Sequence, residues 1–104
     1  MKLLTKANEA ALPALYATEN IPADEKVAVV KFFNPTGGQS WFGIEYDPQQ
    51  RLFFGYVTGT GDDEFGYFSL DELAAVRGRF GLGIERDRSF PPTKISVIKN
   101  NAAM

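Results

Sequence analysis

The stretch WFGIEYDPQQRLFFGYVT, residues 41–58, decides the fold. Its two apolar runs alternate with the two-residue period of a β-strand. In the first run Phe42, Ile44 and Tyr46 point to one face, and Trp41, Gly43, Glu45 and Asp47 to the other. In the second, Leu52, Phe54 and Tyr56 oppose Phe53 and Val57, so both faces carry bulk. DPQQR, residues 47–51, turns the chain between them, which predicts an antiparallel pair.

Further strands flank this pair. VAVVKFF, residues 27–33, is β-branched and aromatic except at Lys31, as expected of a strand buried on both faces, and NPTGGQ, residues 34–39, is a turn cluster. After the loop GTGDDE, the run EFGYFSL, residues 64–70, reads as a fourth short strand. Four runs with turn-sized spacers favour an antiparallel meander. Thr5 can cap a short helix over residues 7–12, which Pro13 kinks or continues as a second turn carrying Leu15 and Tyr16. ATENIPADE, residues 17–25, is a polar connection. Ser69 and Glu72 have the spacing of a capping box, opening a helix that Gly78 ends. KISVIKNNAAM is expected to form a short edge strand and then fray over about residues 99–104. The fold class is therefore α+β: a single domain over residues 1–104, with an antiparallel sheet of about four strands, a short N-terminal helix, and a helix after the fourth strand. GIEYD at Gly43 and GIERD at Gly83 echo one another, but their flanks do not match, which argues against a duplication.

The composition narrows the chemistry. Among 104 residues there is no cysteine and no histidine, which removes thiol nucleophiles, disulfides, the usual zinc ligands and the commonest general base. No catalytic residue and no cofactor is expected. Eleven basic against thirteen acidic residues give a net charge of −2, too small to argue for duplex DNA binding or for DNA mimicry. The N-terminal apolar run is broken by Thr5, Lys6, Asn8 and Glu9, which resembles neither a signal peptide nor a membrane span, so a cytoplasmic location is expected.

Nine Phe, four Tyr and one Trp exceed what a small core needs, so some rings are expected near the surface. Trp41, Phe53, Tyr56 and Tyr67 are the candidates for a binding surface if helices cover only one side of the sheet. RGRFGLGIERDRSF, residues 77–90, holds three glycines and four arginines. A helix precedes these glycines and an extended charged run follows them, the reverse of a dinucleotide or phosphate loop. Arg77, Arg79, Arg86 and Arg88 are candidates to hold an anion, unless Glu85 or Asp87 neutralises them. The stretch is expected to be chiefly a closure, with Phe80 and Leu82 turned inward, Ile84 in the core and Phe90 as an anchor before Pro91-Pro92. Glu45, Asp47, Glu85 and Asp87 sit at strand spacing and are the only candidates for a Mg²⁺-dependent nuclease centre, although an exposed polar strand face accounts for them.

Several segments together carry a resemblance: LLTK at Leu3, LPALYATEN at Leu12, VVKFFNP at Val29, the Trp41 strand, GYFSLDEL at Gly66 and VRGRFGLGIERDRSFPP at Val76. In these the chain resembles an uncharacterised bacterial family that recurs on conjugative plasmids, integrative elements and phages. The resemblance implies a small accessory protein of mobile DNA and transfers no catalytic residue. The expected function is non-enzymatic binding of a host or element protein, for instance to inhibit a host defence system. Single-stranded nucleic-acid binding through exposed rings and an arginine rim is the alternative, and no membrane partner is expected.

Overall fold

The computed structural model describes residues 2–101. Its main sheet has five antiparallel strands rather than four, in the order β5-β4-β3-β2-β6. They are β2 (Val30–Phe33), β3 (Ser40–Asp47), β4 (Leu52–Thr58), β5 (Glu64–Ser69) and β6 (Glu85–Arg86). The meander β2 to β5 follows from the alternating runs and their short turns. The fifth strand is added from a distance, Phe32 facing Arg86 and Phe33 facing Glu85. VAVVKFF is not one strand. It breaks at Val29, whose N–H donates to the Gly43 carbonyl, so β1 (Val27–Ala28) leaves the main sheet and pairs with β7 (Thr93–Lys94).

Among the described residues three α-helices flank the sheets. In α1 (Lys6–Ala11) the Thr5 hydroxyl accepts from the Asn8 N–H at 3.1 Å, and the Asn8 side chain accepts from the Thr5 N–H at 3.1 Å. This helix buries none of its own residues; Leu3 and Leu4 before it and Leu12 after it are the anchors. In α2 (Leu70–Ala75) the Ser69 hydroxyl accepts from the Glu72 N–H at 3.2 Å, while Leu70 and Leu73 turn inward. That helix ends at Ala75 with Val76 as its cap, three residues before the glycine expected to stop it. The expected C-terminal edge strand is instead α3 (Ile95–Asn101), preceded only by the two residues of β7. Ile95 and Ile98, three apart, both become buried, and Val97, which a strand would have placed beside Ile95, faces solvent. Lys99 to Asn101, expected to fray, are helical, and residues 102–104 lie outside the described residues.

The sheet is clad on both sides. Leu3, Leu4, Leu12, Leu70, Leu73 and Ile84 cover one face and meet Val30, Phe32, Tyr46, Phe53 and Phe68. Across the sheet, Ile95, Ile98 and the half-buried Phe90 meet Phe42, Ile44 and Tyr56. The expected common face of Phe42, Ile44 and Tyr46 is thus split. A bulge between Gly43 and Glu45 leaves Ile44 without a β4 partner, shifts the alternation by one, and sends Tyr46 to the opposite core. Close beside the bulge, Gly43, Gly55 and Gly66 lie in register across three strands. A Cβ on Gly55 would collide with the Phe42 carbonyl, and one on Gly43 would crowd the Val30 methyl and the Phe53 ring, so these glycines let backbone and ring close up around the bulge.

Tyr46 carries a polar group into its core. Its phenol oxygen is buried and has no hydrogen-bond partner among the described residues. Burial pushes its pKa above the ordinary 10.0, against the pull of the Arg51 guanidinium. A phenol harder to ionise in the folded state gives stability that is intact below pH 10 and is lost as pH rises from about 10 through the raised value. Tyr46→Phe is therefore expected to be neutral or to stabilise by up to about 1 kcal/mol at neutral pH, and to flatten the alkaline loss. Urea unfolding of both proteins at neutral pH and near pH 10–11 checks it; a loss of about 2 kcal/mol in the variant at neutral pH would show that the hydroxyl is satisfied.

Candidate functional site

The bulge also determines where Glu45 goes. Read as part of a solvated strand face, it is instead 3% exposed. Its carboxylate turns towards the segment between α1 and β1, where Oε1 accepts from the Tyr16 N–H at 2.9 Å and Oε2 from the Thr18 N–H at 3.0 Å. The Thr18 hydroxyl also donates to Oε2, and the buried Lys26 ammonium donates to the Thr18 carbonyl and, at 3.1 Å, to its hydroxyl. Thr18 thus stands between a buried cation and a buried anion, and Tyr16 is held in the left-handed region at φ 69°. That conformation is costly for a tyrosine, and the carboxylate fixes it. Nothing in the spacing of Thr18, Lys26 and Glu45 signals their meeting.

The other carboxylates are dispersed. Asp47 accepts from the Gln49 N–H and the Gln50 amide, Asp87 lies 3.9 Å from Lys31 and accepts from the Ser89 N–H, and Glu85 lies in β6. Among the described residues no group of three acidic, histidine or cysteine side chains could hold a metal ion.

Burial divides the four candidate rings. Phe53 and Tyr56 are buried and Trp41 is half-buried against the first core, because helices lie on both faces. Only Tyr67 is open, at 53% exposure. The neighbouring Tyr16 phenol raises the Tyr67 pKa above its ordinary value.

The four arginines differ in what holds them. Arg77 folds its guanidinium onto the carbonyls of Ala74 and Val76, and Arg86 donates to those of Lys2 and Leu3. Arg79 and Arg88 face solvent, and among the described residues none of the four has a carboxylate within 4.0 Å. The expected neutralisation by Glu85 or Asp87 is therefore not what the structure shows.

Residues 76–83 overturn the expected closure most plainly. Ile84 is buried and Phe90 packs against the second core, but Leu82 is exposed and Phe80 is 92% exposed. The loop is nevertheless tied down. Arg77 bridges Gly83, the Gly78 N–H donates to the Leu82 carbonyl at 2.7 Å, and the Arg79 N–H donates to the Thr36 hydroxyl at 3.2 Å. Phe80 at its tip has φ 60°. An inward Phe80 was expected because apolar residues alternate with small and charged ones, but the left-handed turn reverses the side chain, and no residue type at position 80 announces that.

One cleft, of about 600 Å³, is lined by Lys31, Ser40, Phe42, Asp63, Phe90 and Ile98 among others. No helix among the described residues is long and apolar enough to cross a membrane. What emerges is a small α+β domain, a five-stranded antiparallel sheet clad on both faces, with an aromatic side chain projecting from a pinned basic loop. The chain belongs to the family described as protein of unknown function DUF2958, whose model matches residues 3–104. No curated protein and no solved structure matches it.

Proposed function

We propose that this protein is a small non-enzymatic binding module that grips a partner protein through the Phe80 loop. The observation that carries the reading is the exposed, left-handed Phe80 on a loop held by backbone hydrogen bonds. A fully exposed phenyl ring gains nothing from burial, and its backbone conformation costs roughly 1–2 kcal/mol relative to the right-handed region. Such a residue is poorly explained by stability and well suited to fill an apolar pocket elsewhere, with the solvent-facing Arg79 beside it at the rim. The resemblance to proteins of conjugative elements suggests a cytoplasmic accessory protein whose partner is a host or element protein, inhibition of a host defence complex being one form.

Phe80→Ala is expected to change unfolding stability by less than about 0.5 kcal/mol while abolishing capture of the partner. Affinity capture from a bacterial lysate with wild-type, Phe80→Ala and Asp47→Ala baits, alongside urea unfolding, tests this. Proteins recovered equally by all three baits would count against the loop. Salt-sensitive anisotropy shifts with short single-stranded oligonucleotides, lost on Arg79→Ala, would favour the nucleic-acid alternative instead.

A further inference from the structure

We infer a second contact surface, independent of the Phe80 reading: the free edge of β5 accepts an extended peptide segment that carries basic residues at its ends. Among the described residues β5 pairs only with β4, so along its six residues the backbone groups on the outer side have no strand of the described chain beside them. That is the chemistry by which a sheet takes up an added strand. The edge lies on the opposite side of the sheet from β6, which the Phe80 loop leads into. Beside it the side chains form an aromatic shelf: the Phe54 ring lies 5.3 Å from Tyr67 and 6.1 Å from Phe65, and Tyr67 is exposed. Alternate apolar side chains of an added strand would lie on this shelf. Acidic groups stand at both ends. Asp62, Asp63 and Glu64 are exposed at the start of β5, and Asp71 and Glu72 are exposed just beyond its end. Arg51 pairs with Asp71 at 2.7 Å and offsets its charge, which leaves Glu72 as the uncompensated acid beyond the end of β5, and the Lys99 ammonium, 5.3 Å from the Phe65 ring centroid, pairs with Asp24 at 2.6 Å.

This charge pattern selects the occupant. In an antiparallel pairing of two copies through β5, the acidic start of one strand would face the acidic end of the other, which disfavours a homodimer. A segment with Lys or Arg at each end meets opposite charge at both.

Selection of a displayed library of short random peptides on the whole protein tests the inference. The expected outcome is enrichment of peptides with alternating apolar residues and basic ends, whose addition shifts the amide resonances of β5. Methylating the amide nitrogens on one edge of an enriched peptide should abolish binding, because those groups make the ladder. The double substitution Asp62→Lys and Glu64→Lys, at exposed positions, should weaken binding by about ten-fold or more, whereas Phe80→Ala should leave it unchanged. Failure of the Phe80 reading alone would leave these results intact. Absence of enrichment, enrichment of acidic or unpatterned peptides, shifts confined to residues 76–83, or indifference to amide methylation would each overturn the inference.

Discussion

Phe53→Ala is expected to destabilise the protein by about 3–5 kcal/mol, the range for a large aromatic side chain removed from a packed core. The ring is fully buried and central to its cluster: its centroid lies 4.5 Å from that of Tyr46, 5.0 Å from Phe68 and 5.4 Å from Phe32. Each such pair contributes beyond the area it buries, by about 0.5–1.5 kcal/mol. The ring also occupies space left by the missing side chain of Gly43, so collapse of the surroundings cannot easily fill the gap. Urea unfolding monitored by Trp41 fluorescence gives the number. A cost below about 1.5 kcal/mol would mean that the ring is not buried as described.

Glu45→Ala carries the other large effect, about 3–5 kcal/mol, because it leaves buried groups without partners. The N–H groups of Tyr16 and Thr18 lose their acceptor, and Lys26 remains a buried cation whose mediator, Thr18, has lost its anion. Glu45→Gln should cost less than Glu45→Ala, since the amide keeps one acceptor, though its NH₂ group then faces an N–H. The double change Glu45→Ala with Lys26→Met should cost less than the sum of the two single changes, the sign of coupling through Thr18. Equilibrium unfolding of the four variants decides it. A silent Glu45→Ala would return this carboxylate to the solvated face that strand alternation predicts, and with it the possibility of a metal-binding role.

The local parts of the fold were legible in the residues. Thr5 and Ser69 announce the two caps because capping depends on the residue and its next three neighbours. The runs around Trp41, Phe53 and Phe68 announce three strands because alternation is also local. What the sequence hid depends on distance or on a single backbone angle. The bulge at Ile44 reverses the phase of everything after it in β3 and carries Glu45 inward, yet IEYD reads as unbroken alternation. KISVIKN satisfies both the strand and the helix periods, and contact with the second core decides for the helix. β6 exists because Phe32 and Phe33 lie alongside it, not because ER favours a strand. Of the four candidate rings Tyr67 is open, cladding on both faces buries Phe53 and Tyr56, and Phe80, which alternation turns inward, is the most exposed ring.

The strand order also divides assembly in time. Strands β2, β3, β4 and β5 meet in sequence order through short turns, so their pairing requires only small loop closures. The pairings of β2 with β6 and of β1 with β7 join distant parts of the sequence, Val27 with Lys94 among them, and must wait until the intervening chain is compact. The C-terminal third is therefore expected to act as a late clasp on an early four-stranded meander. In folding kinetics, weakening Phe53 should slow folding, while Ile95→Val should chiefly hasten unfolding, and the reverse partition would place the clasp first.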